Sequence, residues 1–146
     1  MKSFLLPVIF FCTTILSCQR QNSMTSSEES LDGKWKMIIV KDNLSGTALT
    51  KPSSVQGDVE ITFTPVNASS GTFIGKTPTN DIWQNNFHIG ANQALSIPVL
   101  SMTKVMETSW GNEFVSNICN SQTYSFDAHS MLHIKTTKKT LVFQKL

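Results

Sequence analysis

Three histidines, a few carboxylates, three cysteines and three tryptophans are the side chains of this sequence that could do chemistry or hold a ligand. His88 stands between Phe87 and Ile89, and His133 between Leu132 and Ile134. In alternating strands each imidazole then points away from its apolar neighbours, toward solvent. His129 falls in a turn. It is four residues from His133, but no helix presents the two together. No cysteine is near enough to complete a zinc set, so these are read as surface residues and no metal is expected. Asp58, Glu60, Asp81, Glu107, Glu113 and Asp127 are scattered, and no two have a spacing that guarantees a shared acid–base site. The sequence has no Gly-x-Ser-x-Gly elbow, phosphate loop or dinucleotide fingerprint. No catalytic residue is assigned, and no cofactor is expected.

The aromatic residues offer binding rather than catalysis. Trp35, Trp83 and Trp110 could line a ligand pocket or fill a core. Trp83 is set apart by its polar run, Thr79-Asn80-Asp81-Ile82-Trp83-Gln84-Asn85-Asn86. An aromatic in such a run is a candidate contact surface, with Asn80 beside it. Cys119 reads as a small core residue rather than a nucleophile. Lys138 and Lys139 read as the solvated tip of a hairpin.

These residues sit in a chain of 146 residues with a formal charge of +2, a length that suits one domain. Charged residues make up 15%, against roughly 25% in an average domain. Ser, Thr and Asn supply the polar surface instead, 44 residues together. The charge is too small and too dispersed for phosphate neutralisation, which argues against a nucleic-acid partner. Apolar content of 40% excludes a disordered chain, and three cysteines are too few for a disulfide scaffold.

The first residues read as an address. Lys2 is followed by a largely apolar stretch, Phe4 to Leu16. That is shorter than the ~20 residues a span needs, and Pro7 argues against a stable core helix. The stretch ends Ile15-Leu16-Ser17-Cys18 and resembles a bacterial lipoprotein signal, with Leu two rather than three places before the Cys. The resemblance implies that the Cys18 thiol takes a diacylglycerol and becomes the mature N-terminus. Acyl chains would then attach the protein to the cell envelope, at the outer membrane, without a span. An ordinary cut near Ser17 or after Cys18, or an uncleaved anchor, are the other readings. Residues 1–18 are thus assigned to the signal, the polar run 19–30 to a flexible tether, and 31–146 to one domain.

Within the domain, periodicity gives mostly strands. Trp35 to Val40 opens, and 41–57 is a long loop. Val59, Ile61 and Phe63 alternate cleanly with polar residues. Phe73 centres a short glycine-flanked strand. Phe87 with Ile89, and Leu95, Ile97 and Val99, make a hairpin about Gly90-Ala91-Asn92. Thr103 to Met106 is a further short strand. Trp110, Phe114 and Ile118 recur every four residues, which predicts the single helix over 110–119, with Glu113 near its start. Tyr124 with Phe126, Leu132 with Ile134, and Leu141 with Phe143 mark the last three strands. The expectation is a mainly β fold, a small antiparallel barrel-like domain of about eight or nine strands with one short helix. Its inward candidates are bulky, which predicts a filled interior.

The domain resembles the META/HslJ-like family of bacterial envelope proteins. The residues that carry this are Leu31-Asp32-Gly33-Lys34-Trp35, the stretch from Gly71 to Asn80, Thr103-Lys104-Val105-Met106 followed by Glu113-Phe114, and Leu141-Val142-Phe143-Gln144-Lys145. Many members carry a Cys before that Asn and another after the Met. Thr79 and Glu107 occupy those regions here, so no such disulfide is expected and packing must supply the stability. The family implies a small β-barrel-like fold and no catalytic mechanism. Gly33-Lys34-Trp35 also matches the Gly-x-Trp opening of lipocalins. The functional expectation is a lipid-anchored, non-catalytic envelope protein. It would act by contact with an envelope partner or by supporting the envelope under stress. A lipocalin-like carrier of a small apolar ligand, or a lipid-anchored hydrolase inhibitor, are the alternatives.

Overall fold

The computed structural model describes residues 29–146. Cys18, the leader and most of the tether lie outside the described residues. Nine antiparallel strands form one sheet: β1 (Gly33–Asp42), β2 (Ala48–Thr50), β3 (Glu60–Asn67), β4 (Ser70–Lys76), β5 (Asp81–Ile89), β6 (Leu95–Ser96), β7 (Ser121–Phe126), β8 (Leu132–Thr136) and β9 (Lys139–Lys145). The strand order is β6-β5-β4-β3-β1-β9-β8-β7. A bridge between Ala94 and Thr123 brings the two ends together. The sheet is therefore a nearly closed barrel, the geometry that leaves least edge exposed.

Period-two patterning decides which side chains go inside. Ile61 and Phe63 of β3, Phe73 of β4, Phe87 of β5, Leu132 and Ile134 of β8, and Leu141 and Phe143 of β9 are all buried in one cluster. Phe63 packs on Phe73 at 5.6 Å and edge-on to Phe87 at 5.2 Å between ring centroids. Where β4 crosses β3 the backbones are too close for a side chain: a methyl on Gly75 would overlap the Glu60 carbonyl oxygen. Trp35 closes the end where the chain enters, donating its indole N–H to Leu31 O at 2.8 Å. Helix α1 (Ser109–Val115) contributes Trp110 and Phe114 to the same core.

The structure corrects the sequence reading in several places. The helix ends at Val115, and a separate 3₁₀ turn, Ile118–Asn120, follows. Ile118 is still buried, which is why the every-four-residues spacing runs through both. Cys119 on that turn is exposed, not a core residue. Glu113 lies beyond the first turn of α1. The cap is Thr108, whose hydroxyl accepts from Gly111 N at 3.1 Å. The loop expected over 41–57 contains β2, paired with β1. The strand expected over 103–106 is irregular chain. β6 stops at Ser96, so Pro98 lies beyond it and Val99 is exposed. Ile89 is only half-buried.

Candidate functional site

Trp83 is 59% exposed, whereas Trp35 and Trp110 are 1% and 0% exposed. A β-bulge places it outside. Phe73 pairs with Asn85 and Gly75 with Ile82, so Ile74 alone faces both Trp83 and Gln84. The extra residue lets Trp83 and Gln84 both lie outside while Ile82, Asn85 and Phe87 stay buried. The bulged strand is braced from beyond the sheet: Trp83 N donates to Ser101 O at 3.0 Å, and Asn85 holds Ser101 through both ends of its amide.

Around the indole the outer face forms cross-strand rows. Thr62 of β3 lies opposite Ile74, which faces Trp83 and Gln84. The next row is Thr64, Thr72 and Asn86, and the one after runs through Ser70, His88 and Ser96. On the other side Glu60 lies opposite Lys76, and Lys76 opposite Asp81. Glu60 accepts from Lys34 at 2.7 Å and Lys76 at 3.5 Å. The Lys34 ammonium pulls its carboxyl below the ordinary range against the opposing effect of burial, and Lys76 adds to the pull. A concavity of about 280 Å³ runs here, lined by Lys34, Glu60, Thr62, Ile74, Lys76 and Asp81 among others.

Asn80, the other residue marked for contact, is not on that surface. It is 3% exposed. Its Oδ1 accepts from Val105 N at 2.7 Å and Thr103 Oγ1 at 2.9 Å, and its Nδ2 donates to Val105 O and Glu107 Oε2, both at 2.9 Å. It is a strut that fixes the irregular 103–108 segment against the start of β5. Glu107 completes the strut, accepting from the hydroxyls of Thr77 and Thr79 and from Thr108 N. Burial pushes its carboxyl up, but the hydrogen bonds from Thr77, Asn80, Thr108 N and Thr79 outweigh this and hold it below the ordinary value. Hydrogen bonds as well as packing therefore hold this region.

The other groups are placed apart. His88 and His129 are exposed. His133 is half-buried, with Nε2 3.0 Å from Asp127 Oδ2. That contact, with hydrogen bonds from Met131 N and His129 N, lowers the Asp127 carboxyl to about 2. Asp127 thus organises the β7–β8 turn. Sequence spacing hid the pair because hairpin register sets it. Asp58 accepts from Lys51 at 2.8 Å and sits 3.5 Å from Lys36. Among the described residues no group of three His, Cys, Asp or Glu side chains could hold a metal ion. None of the described helices is long and apolar enough to cross a membrane.

No family model matches the chain, and no curated protein matches it significantly. Its fold is similar to a solved structure described as the NMR structure of a protein from Burkholderia xenovorans. The TM-score is 0.54 at 18% identity, over 79% of this chain and 82% of that one. At that identity the likeness concerns fold alone.

Proposed function

We propose that the chain is a lipid-anchored, non-catalytic module of the bacterial cell envelope, attached through Cys18 at the outer membrane and acting by contact through its outer surface. The observation that carries the contact half is the pairing of a packed interior with an outward indole. The aromatic rings of Phe63, Phe73, Phe87, Phe114 and Phe143 occupy the space a carrier would need for its ligand. Trp83 is meanwhile held outside by a bulge and two braces. The anchor half rests on the Ile15-Leu16-Ser17-Cys18 box.

The META/HslJ resemblance belongs to this reading, and one contact supports it. Thr79 and Glu107 occupy the regions where that family carries its two cysteines. Here the Thr79 hydroxyl donates to Glu107 Oε1 at 2.9 Å. A hydrogen bond thus joins the two segments that carry the cysteines in that family.

The test is a native mass spectrum of the protein taken from its own host's membranes. A mass that begins at acylated Cys18, with no apolar adduct, is expected. A free Cys18 or a different start would remove the anchor. An apolar adduct that survives detergent exchange would make the protein a carrier.

A further inference from the structure

We propose that the outer face of β3, β4 and β5 around Trp83 is a platform for a neutral glycan chain. The proposal rests on the contact-module reading above and names its partner class.

The first argument is charge. Within β3, β4, β5 and β6 the three rows from Thr62 to Ser96 contain no carboxylate, ammonium or guanidinium, and their one titratable side chain is the His88 imidazole; Lys34 of β1 lies opposite Thr62 at the end of the first row. The rim row has Glu60, Lys76 and Asp81, and Lys34 reaches across from the first row to Glu60, so these four sum to zero; Lys36, opposite Glu60 on β1, is turned to Asp58. An electroneutral face matches an uncharged ligand and gives no attraction to a polyanion or polycation. The face still offers many directional groups. Gln84 and Asn86 each carry a donor and an acceptor on one amide, and Thr62, Thr64, Thr72 and Ser70 carry hydroxyls. Vicinal hydroxyls of a sugar ring match amides of this kind in spacing and in having both donors and acceptors.

The second argument is shape and area. Ile74 and Trp83 are the large apolar side chains of these rows. Two such groups are far from the ~800 Å² that each side of a stable protein interface buries. They do match the C–H face of a pyranose, which stacks on an indole without needing a wide apolar surround. Neighbouring strands lie ~4.8 Å apart and the rows advance ~6.6 Å each, so the face spans several sugar rings. The 280 Å³ concavity continues it beneath Ile74 toward Lys34.

The test titrates the full-length protein, in detergent, with cellohexaose and with chitohexaose. Trp35 and Trp110 are buried, so a change in tryptophan emission reports Trp83. A saturable emission shift with at least one neutral hexasaccharide is expected. By calorimetry Trp83→Ala should weaken binding at least ~10-fold and Asn86→Ala ~3-fold. Ser125→Ala, on β7, should leave it unchanged. All three side chains are outside the core, so melting temperatures should hold.

Four outcomes overturn the proposal. One is no saturable response to either oligosaccharide. Another is binding of an anionic oligosaccharide in their place. A third is a change of oligomeric state on Trp83→Ala, which would assign the face to a second copy. The last is a large loss of stability in that variant, which would make the indole structural. The anchor is read separately. A chain that binds the sugar but carries free Cys18 refutes the anchor alone, and an acylated chain that binds neither sugar refutes the platform alone.

Discussion

Replacing Asn80 is the sharpest test of how the loop beside Trp83 is held. Asn80→Ala deletes the bonds to Val105 N, Val105 O, Thr103 and Glu107 at once. A buried partner left unsatisfied costs ~1–3 kcal/mol. Water can reach part of this loop once the amide is gone, so the total should be ~2–3 kcal/mol rather than the sum over bonds. For a domain of this size that is a fall in melting temperature of ~8–12 °C. Asn80→Asp separates geometry from size. It keeps the shape and the acceptor but puts an oxygen where an amide donated to Glu107 at 2.9 Å. At neutral pH two carboxylates would then face each other, and Asn80→Asp should be less stable than Asn80→Ala. The difference should shrink as pH falls and one of the two carboxyls takes a proton. Thermal melts followed by circular dichroism from pH 7 to pH 3 decide it. Asn80→Ala within ~0.5 kcal/mol of wild type, or Asn80→Asp as stable as wild type at pH 7, would refute the strut.

Three further outcomes follow from the geometry. Phe63→Ala removes a ring in contact with both Phe73 and Phe87 and should cost ~3–5 kcal/mol in chemical denaturation; a cost under ~1 kcal/mol would mean the barrel is not filled as described. The Asp127 carboxyl should titrate near 2 by NMR and move up toward 3.8 in His133→Ala. Because the folded value is the lower one, what this group adds to stability is present above about 3.8 and is lost as pH falls through about 2; an unmoved titration in His133→Ala would dismiss the pair. Cys119 should react with a maleimide in the native state, since it is exposed. Desolvation raises its thiol, so the rate should climb steeply toward pH 9; protection until unfolding would put the sulfur back in the core.

The strands that carry the barrel were legible where one face is core and the other solvent. Val59, Ile61 and Phe63 announce β3 because water and core impose opposite demands on successive residues. The segment from 97 to 108 was not legible, since its position comes from Asn80, Asn85 and Glu107 and not from its own periodicity. Asn80 looked superficial because its neighbours are polar. Its burial is tolerated because every polar group of its amide is matched, which only the folded loop can show. Trp83 was legible as an aromatic out of place. The bulge that turns it outward was not, because register is decided between strands. The Trp110–Phe114–Ile118 spacing revealed the helix but overran it, since a 3₁₀ turn kept Ile118 on the buried side.

β1 pairs with β9 along its length, from Trp35 opposite Lys145 to Asp42 opposite Lys139. Leu146 N also donates to Lys34 O at 2.8 Å. The first strand of the barrel thus waits for the last. Such pairing carries high contact order and slows folding. A nascent chain that has not yet reached Lys139 leaves one whole side of β1 without its partner strand, even with every other strand made. Closure is thereby set by the strand farthest from β1 in sequence, and the barrel stays open until β9 docks. The same adjacency makes the two ends easy to join. A circular permutant linked from Leu146 to Leu31 and opened at the exposed Ala68–Ser69 turn should keep the barrel while removing that wait.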